Sequence, residues 1–401
     1  MAVLDIDDIF TDTTMAYSPG SGKIVVGVGD VVESGGYRYS VTSANAADNH
    51  VVTAGGVKLD ILPLSGWIDV EALGDTTTDM TATLNAILSA ATATSPVRLH
   101  GASGSVVQID GRLHVSPYSQ IDFGDLSTGA RFNLGQEGRV TQDGRSNIRA
   151  MIYAQTTTRF APAFAFDSGF NAASPGMGHM ETAFQIGVLG ARQAGSVGVH
   201  LRAVAGYGVA WIKGSSADVR ECDAGVRLEV DGNGYINENK FDFRVYAARQ
   251  FYEDSVGAGE LDSNWISITC QPDNMARAEQ AVKTDGAKNR WSIKVWDWSG
   301  SNLNPAVRKH TVHLTNKSGF NEVTGYVDQR DFPQTSGILD QSNDLRRNRV
   351  QVIAQRVRYD PPSFYGPYWK QSRGEETNLL AQAVRDHGPD GSPADRSERY
   401  A

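Results

Sequence analysis

Two kinds of side chain in this sequence could act on a carbohydrate: outward carboxylates and outward aromatic rings. Cutting a glycosidic bond needs two carboxyl groups on one surface, about 5 to 5.5 Å apart for retention of configuration or about 6.5 to 9.5 Å for inversion. Asp242 lies between Phe241 and Phe243, and Asp218 precedes Val219. Strand alternation turns both acids away from the buried face. They are 24 residues apart, close to the repeat length described below, so they are expected to stack as neighbours one coil apart, with Glu221 near the same column. The competing reading is that all three are ordinary solubilising acids. In Trp291-Ser292-Ile293-Lys294-Val295-Trp296-Asp297-Trp298 the inward set is Trp291, Ile293 and Val295, which places Trp296 and Trp298 on the outward face with Lys294. Tyr246 falls in the column of Trp296, two coils earlier. Flat exposed rings serve as platforms for sugar faces and equally as anchors of protein interfaces, and both roles stay open.

Other motifs carry less. Gly20-Ser21-Gly22-Lys23 fails as a phosphate loop, because Tyr17 and Ile24 stand where Gly and Ser or Thr are needed. His310 and His313, three apart in a strand, are expected on opposite faces and therefore unable to share a metal. Asn316-Lys317-Ser318 matches a glycosylation acceptor, which matters only in an exported chain. Two cysteines, Cys222 and Cys270, leave neither a disulfide framework nor a Cys-rich zinc site, and no metal or cofactor is expected.

The chain has 401 residues and a formal charge of -9, from 37 Lys plus Arg against 46 Asp plus Glu. That balance argues against a partner with a phosphate backbone, so nucleic acid is not an expected ligand. The acidic start, Met1-Ala2-Val3-Leu4-Asp5-Ile6-Asp7-Asp8, lacks the basic flank of an export signal. With no apolar run near the roughly 18 residues of a membrane span, membrane insertion is not expected either.

The elements that must position these residues are mostly strands. Short alternating runs recur between Gly, Asn, Asp and Ser clusters, and only two helices are predicted. One runs from Thr81 to about Ala91, with Asp79 as N-cap and Leu84, Ile87 and Leu88 on one face. The other runs from Glu376 to His387, stopped by Gly388-Pro389.

Three segments repeat between them. Asn239-Lys240-Phe241-Asp242-Phe243-Arg244-Val245, Asn264-Trp265-Ile266-Ser267-Ile268-Thr269-Cys270 and Asn289-Arg290-Trp291-Ser292-Ile293-Lys294-Val295 start 25 residues apart, with apolar residues at positions three, five and seven. Gly198-Val199-His200-Leu201 and Gly225-Val226-Arg227-Leu228 repeat at 27, and Asn321-Glu322-Val323 is a later member. A fixed period of this size in β-rich sequence predicts a parallel β-helix whose coils bury their inward side chains against one another. Stacked Asn amides can bond across the ~4.8 Å between coils and tolerate a left-handed turn. Cys222 and Cys270 are about two coils, or ~9.6 Å, apart and are expected not to bond.

Two stretches resemble bacteriophage tailspike and tail-fibre proteins of the pectate-lyase-like β-helix superfamily. Gly29-Asp30-Val31-Val32-Glu33-Ser34-Gly35-Gly36-Tyr37-Arg38-Tyr39-Ser40-Val41, continuing to Thr53-Ala54-Gly55-Gly56-Val57-Lys58-Leu59, resembles the small module that precedes the β-helix of several spikes. Gly74-Asp75-Thr76-Thr77-Thr78-Asp79-Met80-Thr81-Ala82-Thr83-Leu84-Asn85-Ala86-Ile87 is similar to the helix that caps the first coil, with Pro96-Val97-Arg98-Leu99 as the first strand.

The resemblance, together with the change in composition past residue 335, implies a mostly β chain in three parts. These are an N-terminal virion-attachment module over 1–66, a right-handed parallel β-helix over 67–335 with its capping helix near 81–91, and a non-solenoid C-terminal strap over 336–401. The strap is basic at Arg346-Arg347-Asn348-Arg349 and rich in Pro and aromatics over 360–369, and it holds the second helix and a flexible tail from Asp390. The resemblance further implies a homotrimer in the virion tail, assembled in the host cytoplasm and docked to other tail proteins through its first module. Its implied partner is a host-surface polysaccharide. Three roles stay open: a receptor-binding fibre, a depolymerase acting by hydrolysis or elimination, and a structural connector.

Overall fold

Alternating apolar and polar residues bounded by turn-formers give strands with one buried face, and the chain pairs almost all of them in parallel. A computed structural model describes residues 3–47, 49–154, 162–167, 182–204, 206, 208–299, 302–304, 306–307, 309–330, 337–342, 348–355 and 359–360. These fall into two units, one holding 1–159 and 182–188, the other 160–181 and 189–401. Among the described residues no helix is long and apolar enough to cross a membrane.

The first unit opens with a five-stranded sheet in the order Val3–Asp5, Val31–Ser34, Tyr37–Val41, Lys58–Ile61 and Val51–Val52. Parallel solenoid ladders follow: Ile68–Asp69, Val97–His100, Ser119–Asp122 and Asn147–Tyr153 form one, and Arg112–Val115 with Arg139–Gln142 forms another. Helix Thr81–Ser89 covers the edge of the second ladder, burying Leu84, Ile87 and Leu88. The side chain of Asn85 takes the place of a missing strand: its Nδ2 donates to Arg112 O (2.7 Å) and its Oδ1 accepts from His114 N (2.7 Å). Edge groups that would otherwise pair with another chain are thus satisfied. Asp79 does not occupy the N-cap, which is Met80. Its Oδ1 instead accepts from the N–H of Thr81 and from that of Asp110 (both 3.0 Å), tying the helix start to the following strand.

The second unit is a solenoid of three parallel sheets. Sheet A stacks Ser215–Arg220, Lys240–Tyr246, Trp265–Gln271, Arg290–Ser299, Glu322–Arg330 and Arg349–Gln355. Sheet B stacks Pro162–Asp167, Val197–Ala203, Ala224–Val230, Gln250–Val256, Gln280–Thr284, Val312–Leu314, Ile338–Asp340 and Tyr359–Asp360. The short sheet C stacks Gly208–Ala210, Tyr235–Asn237 and Glu260–Asp262. Phe241, Ile266, Trp291 and Val323 pair in one inward column, and Val245, Cys270 and Val295 in another, as the repeat requires. Val199 pairs with Val226 and Leu201 with Leu228, so the 27-residue repeat is also a true coil. Glycine leads both of its members for lack of room: a Cβ on Gly198 would lie 2.3 Å from Val219, and one on Gly225 2.4 Å from Val245.

A buried amide ladder marks the corner before sheet A. Asn239 Nδ2 donates to Asn264 Oδ1 (3.0 Å), Asn264 to Asn289 (3.0 Å), and Asn321 to Asn348 (3.0 Å); the N–H of Asn289 reaches Asn321 Oδ1 (2.9 Å). Asn348 is a fifth member that sequence comparison missed. The left-handed residue is not the Asn, as expected, but the one before it: Glu238, Ser263, Lys288 and Phe320 have φ of 55–58°. Each coil therefore turns on the preceding residue, and the Asn amide closes the turn.

The strands beyond residue 335 continue sheets A and B to Asp360, so the solenoid does not stop at 335. The expected helix Glu376–His387, the aromatic stretch after Asp360 and the tail from Asp390 lie outside the described residues. Cys222 and Cys270 are buried and free, and burial pushes the Cys222 thiol up to about 12 and Cys270 still higher. His310 precedes its strand, so alternation does not apply to it; its ring lies 6.1 Å from that of His313 instead of across the sheet.

Candidate functional site in the second unit

The outward face of sheet A gathers most of the exposed chemistry. Outward residues repeat every second position along each strand, about 6.6 Å apart, while neighbouring strands are about 4.8 Å apart. At the strand starts Lys240, Trp265 and Arg290 form one column. Next comes a strip of small polar residues, Ser216, Asp242, Ser267, Ser292 and Thr324, followed by Asp218, Arg244, Thr269, Lys294 and Tyr326. At the far margin stand Arg220, Tyr246 and Gln271, with Trp296 next in line after Val295. Aromatic rings thus mark both margins of a face about 20 Å wide.

Trp265 is 52% exposed, and the Arg290 guanidinium lies 5.3 Å from its ring centroid. Trp296 is 43% exposed, with its ring 5.3 Å from that of Tyr326, and Tyr246 is 40% exposed. Tyr246 and Trp296 share a column two strands apart, as alternation indicates.

Trp298 does not join them. The register shifts between Val295 and Trp298, where Asp297 takes a φ of 51°, and the extra residue flips the side chain inward. Trp298 is 1% exposed and packs edge-on against Phe251 at 5.4 Å. It belongs to the core.

The carboxylates are placed differently from expectation. The coil here is 26 residues long, so Asp218 pairs with Arg244 and Asp242 with Ser216; the two acids do not stack. Both oxygens of Asp218 are taken by Arg220 (2.9 and 2.8 Å), a bidentate pair that holds the Arg220 guanidinium above its ordinary value. Glu221 has left the column for the corner, with a φ of 59°, and binds Arg192 at 3.0 Å.

Charge on this face is unevenly satisfied. Glu322 serves both Arg290 (3.6 Å) and Arg349 (3.3 Å), and Asp218 serves Arg220. Lys240, Arg244 and Lys294 are exposed and make no ion pair among the described residues. Sequence reading overlooked Lys240, Arg244 and Trp265, although the same alternation that exposes Asp242 exposes all three.

Sheet B presents the opposite case. Along the corner where the chain enters it, Asp223, Arg249, Glu279 and Lys309 alternate in sign. Arg249 binds Asp223 at 2.8 and 3.0 Å and Glu279 at 2.9 Å, and Lys309 binds Glu279 at 2.7 Å. Burial works to raise Asp223 and Glu279, but their hydrogen bonds to these cations prevail and hold both below the usual carboxylate range. On the outward face Arg227 meets Glu253 at 2.7 Å, and Arg202 meets Asp231 at 3.3 Å.

Among the described residues no group of three or more His, Cys, Asp or Glu side chains is placed to hold a metal ion. No known protein family matches the chain, and no curated protein matches its sequence.

Proposed function

We propose that this protein is a bacteriophage tail-fibre or tailspike component that binds a host-surface polysaccharide during adsorption. The observation that carries this reading is the outward face of sheet A: exposed Tyr246, Trp265 and Trp296 border a strip of small hydroxyl and amide-bearing side chains on a rigid parallel scaffold. Rings offer apolar platforms to sugar faces, while Ser267, Ser292, Thr269 and Gln271 offer hydrogen bonds. The likeness of 29–59 and 74–87 to spike proteins supports the virion setting, with docking to other tail proteins through the first module. On this reading the chain works as a homotrimer, and repeated weak sites gain strength through avidity. Binding without cleavage is favoured over depolymerisation because Asp218 is engaged by Arg220 and Glu221 by Arg192.

The test is incubation of purified protein with capsule and lipopolysaccharide from bacterial hosts, following retained glycan and released oligosaccharide by mass spectrometry. Retention without release is expected. Release that disappears in Asp218→Asn or Asp242→Asn makes the protein a depolymerase, and neither retention nor release leaves a structural connector.

A further inference from the structure

The charge on sheet A narrows the ligand class, on the premise that the face binds glycan at all. The chain carries -9 overall, yet this face concentrates six cations, Arg220, Lys240, Arg244, Arg290, Lys294 and Arg349, against four acids, Asp218, Asp242, Glu322 and the exposed bulge residue Asp297. Ion pairs within the face remove Arg220 with Asp218, and Arg290 and Arg349 with Glu322. Lys240, Arg244 and Lys294 remain exposed without ion-pair partners among the described residues. These three cations outnumber the two acids left unpaired on the same face, Asp242 and Asp297, so an acidic protein keeps a local excess of positive charge there, which attracts anions.

The spacing is regular. Arg244 and Lys294 occupy one column with Thr269 between them, two strands apart. That places the two charges about 9.6 Å from each other along the direction in which strands stack. Tyr246 and Trp296 repeat the same two-strand interval at the neighbouring margin. A polymer lying across the strands therefore meets a cation and an aromatic ring on the strand Lys240–Tyr246 and again two strands on, on Arg290–Ser299. We propose that the outward face of sheet A binds an anionic polysaccharide across its strands, one bearing a negative charge about every 10 Å and held by Arg244, Lys294 and Lys240 with Tyr246 and Trp296 as ring platforms.

The charge can come from a uronate carboxylate or from a phosphate in the repeat unit, since both accept charge-assisted hydrogen bonds from Lys and Arg. The experiment uses the full chain and a panel of purified bacterial capsule and O-antigen polysaccharides, some with acidic and some with neutral repeats. Retained glycans are tested again after carboxyl reduction and, separately, after phosphate removal. The expected result is retention of acidic glycans only, lost after one of the two treatments and weakened by raising salt to about 0.5 M, where screening shortens to a few Å. The triple variant Lys240→Gln, Arg244→Gln, Lys294→Gln is expected to bind about tenfold more weakly, three exposed charge contacts together being worth that much.

Retention of neutral glycans, or equal retention after both treatments, overturns the anionic assignment and leaves the glycan reading standing. If nothing is retained, and the Trp265→Ala, Trp296→Ala variant loses its oligomeric state by light scattering, the face is an interface between copies and both readings fall. If nothing is retained and the oligomeric state is unchanged, both fall likewise.

Discussion

Sheets A and B belong to one solenoid unit and use the same backbone, but their outer surfaces are built on different terms. On sheet B and its entering corner, cations and acids alternate from coil to coil: Asp223, Arg249, Glu279 and Lys309 form a continuous chain, and Arg227 and Arg202 have their own acids. On sheet A Lys240, Arg244 and Lys294 make no ion pair among the described residues, and three large rings face solvent. Vertical stacking explains why both arrangements are available. In a parallel ladder each outward residue touches the equivalent one on the next coil, so alternating signs along a column neutralise a face and like or missing signs leave it open. A face satisfied internally is suited to stability, whereas an unsatisfied one is suited to a partner.

The widest separation concerns two tryptophans two residues apart. Trp298→Ala is expected to cost about 3–5 kcal/mol, because it empties a core site against Phe251. Trp296→Ala should stay within about 0.5 kcal/mol. Chemical denaturation of the two variants checks this, and similar costs would mean that the bulge at Asp297 is misplaced.

A smaller effect is expected from charge removal on the neutralised side. Arg249→Met leaves the partly buried Asp223 without its cation and Glu279 with Lys309 alone, at a cost of about 1–3 kcal/mol. Arg244→Met on sheet A should cost within about 0.5 kcal/mol, having no ion pair to lose.

The same contrast has a pH signature. Asp223 and Glu279 are held below their ordinary values of 3.8 and 4.5, so the unfolded chain binds protons more readily than the folded one as pH falls. Their contribution is fully present above those ordinary values and is lost as pH drops below 3.8 through the lowered folded ones. Denaturation midpoints taken from pH 6 down to about 3 should fall more shallowly in Arg249→Met than in the unaltered protein, because the variant has less acid-labile stability to lose. An unchanged slope would remove the ion chain from the account. The smallest expected effect is on binding: Arg227→Gln should alter glycan retention by no more than about twofold, its charge being already spent on Glu253.

Much of the scaffold was legible in the sequence because its signals are local and repeated. The Asn at 239, 264 and 289 and the apolar residues at fixed offsets from them gave period, strand and inward face together. Gly198 and Gly225 gave a second coil pair for the same reason, since a Cβ has no room there. What failed depended on features that do not repeat. Asp218 and Asp242 were misaligned because coil length is set at the corners, and the coil between them is 26 residues where the next one is 25. Trp298 was misplaced because a bulge reverses alternation without any mark in residue type. Strand alternation fails for the histidine pair because His310 precedes the strand Val312–Leu314 that holds His313. Trp265, Lys240 and Arg244, by contrast, sit at regular outward positions of the repeat, and following alternation through every position would have found them.

The claim that sheet A is the binding face and sheet B is not can be tested with two matched variants in one assay. One carries Tyr246→Ala, Trp265→Ala and Trp296→Ala; the other carries Arg202→Gln, Arg227→Gln and Lys283→Gln on sheet B, where Lys283 stands in register with Glu253. Retention of host capsule and lipopolysaccharide is measured for both beside the unaltered protein, with folding checked by circular dichroism. The first variant is expected to fold and lose glycan while the second retains it. Glycan held equally by both variants, or lost only in the second, would contradict the claim.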